Sequence, residues 1–324
     1  MPPLLKSAHF AESARARDFD VELPRALRRF GNCVTASLVG PEGAPVIVML
    51  GGISANRHPC VTADGEPGWW SDLAGSNRAI DPALVRILGV DFAADESGHL
   101  APSTFDQASV LGAVLDAAGI ERVRAIVGAS YGGMTALALA ERCPERVEKL
   151  IVVSAPAEPH PTATATRELQ RRIVALGLAN DAGPEALGIA RGLAMLTYRS
   201  PEEFEQRFTG GIESENALAR SEPGAYLHAR GQAYRTVMSP GRFVSLSAST
   251  DRHRVDPVQI HTPALIIGAA TDQLVPAAQL KSLARSYGGP RTLTLLPSLY
   301  GHDMFLKETG ELAELVTPFL RINS

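Results

Sequence analysis

Six short apolar runs, each closed by glycine, proline or charge, recur along the chain: Ala44–Leu50, Leu84–Phe92, Val123–Val127, Leu150–Val153, Ala264–Gly268 and Thr292–Leu296. Their continuous Val/Ile/Leu content suits strands buried on both faces rather than the alternation of a half-exposed sheet. Between several of them lie amphipathic stretches of helical length: Phe105–Ala118, Met134–Arg142, Ala277–Tyr287 and Glu311–Leu320. Strands alternating with helices predict an α/β architecture with a mostly parallel sheet and right-handed crossovers. With 324 residues, 45% of them hydrophobic, the chain can bury a large core around such a sheet.

The alternation stops between about Glu158 and Asp256, where Ala/Leu/Arg-rich segments such as Arg167–Leu178 and Pro184–Leu196 replace the buried runs. The chain is expected to leave the sheet, build a helical lid over residues 158–256, and return, so that 1–157 and 257–324 form one discontinuous core. A lid over the carboxyl ends of the strands would cover the crevice where open α/β sheets bind ligands. An independent second domain is the alternative.

The strongest local motif is Gly128-Ala129-Ser130-Tyr131-Gly132, with the strand-like Arg124–Val127 before it and the helix-like Gly133–Leu137 after it. This is the setting of a G-x-S-x-G nucleophile elbow, in which a sharp strand-to-helix turn lifts the serine hydroxyl clear of the sheet. The turn also sets Ser130 at a helix N-terminus, where the Tyr131 N–H can donate to a developing oxyanion. A serine hydroxyl needs a base that is itself held by a carboxylate. Asp272 follows the run Ala264–Gly268, and His302 follows Thr292–Leu296 in Leu299-Tyr300-Gly301-His302-Asp303. The order Ser130, Asp272, His302 is the chain order of an α/β-hydrolase triad. Asp272 ahead of Pro276 also reads as an ordinary turn or cap residue. A second oxyanion donor is expected from the glycine-containing loop after Val46–Leu50, and Ile53 N–H is assigned to it.

Lys and Arg number 31 against 35 Asp and Glu, a formal charge of -4, so no electrostatic signal for nucleic acid or an acidic membrane is present. Cys33, Cys60 and Cys143 are odd in number and widely spaced, matching neither a disulfide framework nor a metal motif. They read as reduced thiols. The residues after Met1 carry no leader pattern, being interrupted by Lys6, His9 and Glu12, and no run reaches the length of a membrane span. A cytoplasmic protein with no metal is expected.

Beyond the elbow, the chain resembles the homoserine O-acyltransferases of the MetX type, a branch of the α/β-hydrolase fold, from about Gly51 to Leu320. The resemblance rests on Gly-Ile-Ser-Ala-Asn-Arg-His at 52–58, Gly68-Trp69-Trp70 followed by Arg78-Ala79-Ile80-Asp81, and the extended elbow Val127–Leu137. It continues in Leu169-Gln170-Arg171, Ala190-Arg191, Leu196-Thr197-Tyr198-Arg199-Ser200, Asp251-Arg252-His253 and Gly301-His302-Asp303-Met304-Phe305-Leu306. It implies ping-pong transfer of an acyl group from acyl-CoA, through the serine, to the hydroxyl of L-homoserine in methionine biosynthesis. By the same resemblance Arg191 would clamp the amino-acid carboxylate, Tyr198 would line the tunnel, and Asp303 would hold the ammonium. Acyl-CoA is then a co-substrate with no further cofactor, and a homodimer through the lid is implied. Acetyl is slightly preferred as the acyl group; for succinyl, Arg57 beside the oxyanion loop is the candidate cation.

The chain departs from the family pattern in three places. Ala93–Gly98 stands where a longer Asn/Gly-rich stretch is usual, Tyr131 stands where Met follows the serine, and Ala248-Ser249-Thr250 replaces the usual Thr-Arg ahead of Asp251. A serine O-acyltransferase is the nearest variant, because one methylene changes binding by only about 1–3 kcal/mol. An esterase or thioesterase would use the same three residues, and a non-catalytic binding protein is a third reading.

Overall fold

The computed structural model describes residues 16–320. The leader reading at Met1–Glu12 lies outside the described residues. The six apolar runs form parallel strands: β3 (Val46–Leu50), β4 (Arg86–Val90), β5 (Ala125–Ala129), β6 (Leu150–Val153), β7 (Ala264–Ala269) and β8 (Arg291–Leu296). Two further strands, β1 (Arg17–Glu22) and β2 (Cys33–Val39), add an antiparallel edge, giving the order β1-β2-β4-β3-β5-β6-β7-β8. Sequence reading missed both. In β1 only Val21 is buried and Arg17, Asp18, Asp20 and Glu22 are charged, while in β2 Thr35 and Ser37 interrupt the apolar residues, so neither makes an apolar run.

The central strands are buried throughout, and helices cover both faces as the parallel pairing requires. Helix α1 (Thr104–Ala117) starts at Ser103, whose hydroxyl accepts from Asp106 N–H while the Ser103 N–H donates to the Asp106 carboxylate, a reciprocal cap. Helix α2 (Tyr131–Arg142) follows β5 directly and is buried almost to its end. Helix α8 (Ala277–Ser286) joins β7 to β8, and the chain closes with α9 (Met304–Lys307) and α10 (Thr309–Leu320).

Between β6 and β7 the described chain is helical: α3 (Pro161–Leu178), α4 (Gly183–Tyr198), α5 (Pro201–Arg207), α6 (Glu222–Tyr234) and α7 (Pro240–Asp251). Helices α3, α4, α6 and α7 pack around their own small core of Val174, Leu187, Ala190, Tyr234, Met238 and Phe243. The short stretch Ala93–Gly98 runs against α7: Asp95 N–H donates to Ser245 Oγ, and Arg242 pairs with Glu96 at 3.1 Å. Among the described residues no helix is long and apolar enough to cross a membrane.

Register in the parallel sheet aligns the carboxyl ends of its strands, with Leu50 opposite Gly128, Ala129 opposite Val153, and Ala269 opposite Leu296. The loops that follow β3, β5, β7 and β8 therefore emerge on one edge. They carry Ile53, Ser130, Asp272 and His302 respectively.

Candidate active site

Ser130 sits between β5 and α2 at φ 53° and ψ -120°, a left-handed conformation that costs a non-glycine residue energy and needs surrounding structure to hold it. Close packing supplies that restraint. A Cβ on Gly132 would lie 2.3 Å from the Leu50 carbonyl oxygen, and one on Gly128 would lie 2.5 Å from the Gly132 oxygen. Ser130 N–H donates to Val153 O and Gly132 N–H to Gly51 O, tying the bend to β6 and to the loop after β3.

The elbow holds Ser130 Oγ 2.8 Å from His302 Nε2, and His302 Nδ1 lies 2.8 Å from Asp272 Oδ2. The other oxygen of Asp272 accepts from the N–H groups of Leu274 and Val275, each at 2.9 Å. Asp272 thus serves the turn ahead of Pro276 with one oxygen and the imidazole with the other. His302 lies in a 3-10 turn at Gly301–Asp303, whose Gly301 has φ 56° and passes under the Tyr198 carbonyl. Burial disfavours the charged ring, but the Asp272 carboxylate and the nearby Asp303 outweigh it, and Arg167 opposes them. The net effect raises the His302 pKa above its ordinary value, so the ring is a readier proton acceptor.

Both expected oxyanion donors border the same space. A Cβ on Gly52, in the loop after β3, would lie 4.0 Å from the Ser130 Cβ, and Ile53 and Tyr131 line the cavity beside Ser130. Among the described residues neither Ile53 N–H nor Tyr131 N–H has a protein acceptor. Behind this loop Trp69 Nε1 donates to Asn56 O, Trp70 stacks on Trp69 at 5.0 Å, and Trp70 Nε1 donates to Phe305 O. Ser54 meets the hydroxyl of Tyr234 on α6 at 2.9 Å, clasping the loop to the helical segment.

The cavity over Ser130 encloses about 230 Å³, and its walls include Arg191, Tyr198 and Asp303 as well as Arg167 and Gln170 of α3. The Arg191 guanidinium lies over the rings of Tyr198 and Tyr234 at 5.1 and 4.6 Å, which orients it without neutralising it. Tyr198 stands 5.9 Å from the His302 ring. Asp303 is ion-paired through Oδ2 with Nε of the buried Arg199 at 3.0 Å, and Arg199 in turn meets Glu203 at 2.9 Å. Burial lifts the Asp303 carboxyl above the usual carboxylate range, while Arg199, His302 and Arg191 pull it back. Its Oδ1 has no protein partner among the described residues.

Tyr131 is buried, its hydroxyl bonded to Ser249 Oγ and its ring edge-on to Phe92 at 4.7 Å. Two of the departures from the family pattern, at 131 and 249, are therefore in mutual contact. Arg57 does not fulfil its expectation. Its guanidinium is held by Asp18 at 2.7 Å and Asp91 at 2.9 Å, beside the antiparallel edge, and it is not among the cavity walls. Sequence reading assigned no role to Gln170 or Arg199, although both stand within segments that carry the family resemblance, and it passed over Arg167.

Residues 45–309 match the family model described as the alpha/beta hydrolase fold. The chain is 42% identical to a homoserine O-succinyltransferase of Xanthomonas campestris pv. campestris over 286 residues, 88% of this chain and 78% of the relative. It is 33% identical to a homoserine O-acetyltransferase of Deinococcus radiodurans over 270 residues, 78% of each chain. The crystal structure of esterase E22 superposes with a TM-score of 0.83 over 95% of this chain and 100% of the esterase, at 20% identity, a likeness of fold. The chain belongs to the α/β-hydrolase family, in its branch of homoserine O-acyltransferases.

Proposed function

We propose that the protein transfers a succinyl group from succinyl-CoA to the hydroxyl of L-homoserine through an ester on Ser130. The observation that carries this reading is the Ser130–His302–Asp272 relay opening into one cavity with Arg191 and Asp303. Ser130 Oγ attacks the thioester carbonyl while His302 Nε2 takes its proton; the oxyanion is received by the N–H groups of Ile53 and Tyr131. Collapse expels the CoA sulfur, which leaves with the proton from His302. The homoserine hydroxyl then gives its proton to His302 and attacks the acyl-serine, and Ser130 departs as the hydroxyl. Arg191 suits the amino-acid carboxylate, because a fixed guanidinium can bind it with two parallel hydrogen bonds. The free Oδ1 of Asp303 suits the ammonium.

Sequence reading leaned to acetyl; the higher identity to a succinyltransferase supports succinyl. Water must lose to the amino-acid hydroxyl at the acyl-enzyme, and helices over the site favour this by raising the effective concentration of the bound alcohol. A homodimer through residues 158–256 belongs to the same reading, supported by the exposed Ile189 and Val237 on that segment.

The test is free-thiol release from succinyl-CoA and acetyl-CoA with homoserine, serine or no acceptor. Release that depends on homoserine is expected, and Ser130→Ala should slow it by at least about 10³-fold. Equal release without an amino acid would make the protein a thioesterase, and transfer retained by Ser130→Ala would end the acyl-serine route.

A further inference from the structure

We infer that Arg167 and Gln170 form a carboxylate-recognising wall of the acyl pocket, which selects an acyl-CoA whose chain ends in a carboxylate. The inference rests on the acyl-transfer reading above and assigns its donor specificity to particular side chains. Residues three apart share a helix face, and on α3 both of these face the cavity that contains Ser130 and His302.

Gln170 is only 4% exposed, yet its amide has no hydrogen-bond partner among the described residues. Neither amide atom is among the fully buried unpaired ones, so the group opens onto the cavity, where it is available to a ligand. The neighbouring hydroxyls are already engaged: Thr166 donates to Thr162 O, Thr250 to Leu246 O, and Ser247 Oγ accepts from Arg171.

Arg167 is partnered on one side only. Its Nε donates to Asp251 Oδ1 at 2.7 Å; Nη2 lies 2.6 Å from the same oxygen but is buried without a hydrogen bond, and Nη1 has no partner among the described residues. The remaining oxygen of Asp251 is taken by Arg171 Nη1 at 2.6 Å. Two guanidinium groups thus share one carboxylate, leaving a surplus positive charge. Arg171 is not among the cavity walls and Arg167 is, so the surplus faces the cavity through Arg167. The influence of Arg167 on His302 agrees with a position close to the reacting groups.

A terminal carboxylate on the acyl chain would accept from Nη1 and from the Gln170 amide, both charge-assisted bonds. An acetyl group would leave both donors unpaired in a closed site. A site built around such donors rejects the analogue that lacks the acceptor more strongly than an apolar pocket rejects a missing methylene. Arg191, framed by Tyr198 and Tyr234, is left for the amino acid.

The experiment measures kcat/KM for succinyl-CoA and acetyl-CoA at saturating homoserine in the full-length protein and in Arg167→Gln, Arg167→Lys and Gln170→Leu. The parent is expected to favour succinyl-CoA. The succinyl-to-acetyl ratio should fall about ten- to hundredfold in Arg167→Gln and Gln170→Leu, and less in Arg167→Lys. Gln170→Leu leaves the Asp251 ion pairs intact, so it decides the matter if circular dichroism shows that Arg167→Gln is unfolded. An unchanged ratio in Gln170→Leu, or a parent that favours acetyl-CoA, overturns the assignment while acyl transfer stands. A parent that turns over neither donor with homoserine overturns acyl transfer itself, and this inference with it.

Discussion

Asp303 stands one residue after the imidazole it neighbours, yet its charge is divided between the protein and the cavity. Oδ2 is committed to Arg199, which Glu203 also contacts, while Oδ1 remains free among the described residues. Asp303→Asn would keep the shape and remove the charge. The KM for homoserine should then rise about ten- to hundredfold, the worth of a charged hydrogen bond. Acyl-enzyme formation, followed as a burst of CoA in the absence of amino acid, should change less. A larger loss in the burst than in KM would assign Asp303 to support of His302 instead. Arg57 shows the opposite relation between sequence and space. It lies four residues after Ile53, but its side chain turns to Asp18 on β1 and Asp91 after β4. Nothing in the local sequence announces that direction, because β1 is brought beside the loop only by antiparallel pairing with β2.

The strand–elbow–helix unit that carries Ser130 was legible because each part has a local signature: a continuous apolar strand, glycines at the bend, and a helix that begins at once. The reason for the glycines is tertiary. At Gly132 a methyl group would meet the backbone of Leu50 on β3, which cannot yield as a flexible side chain would. Gly132→Ala should therefore cost about 1–3 kcal/mol of stability, as overpacking does, and displace the loop that carries Ile53. The expected result is a lower melting temperature with a fall in kcat. An unaltered Tm would mean that β3 and the elbow are less rigidly apposed than the bonded distances imply. β1 and β2 escaped the same reading because a strand at a sheet's antiparallel edge needs only one apolar face, and in β1 the other face carries charge.

The helical segment is tied back to the sheet domain where it ends. His253, just past α7, donates from Nε2 to Pro156 O after β6, and its Nδ1 lies 2.8 Å from Thr104 Oγ1 on α1. In the neutral ring Thr104 donates to Nδ1. Burial lowers the ring's pKa to about 4, with the Pro156 hydrogen bond opposing. Folding therefore gains stability from His253 above about pH 6.5, the unfolded value, and loses it progressively as pH falls toward 4. The loss is on the order of 3 kcal/mol across that window. Denaturation of the parent and of His253→Gln at pH 7.5 and pH 4.5 measures it. The parent should lose more stability than the variant, whose amide does not titrate, and equal losses would remove His253 from the pH response.

What the sequence alone determined is the part of the protein encoded by neighbouring residues: buried runs for parallel strands, a glycine-framed bend, and an acid and a histidine after later strands in chain order. Those features are local because backbone conformation follows from nearby sterics and hydrophobic period. Which charges share the cavity was decided only by tertiary structure. Arg167, Gln170, Arg191 and Asp303 come from three helical regions, and whether each faces Ser130, a protein carboxylate or solvent depends on how α3 and α4 fold back over the sheet. A guanidinium's partner can lie more than 80 residues away, as Asp251 does from Arg167, and no local pattern specifies that separation.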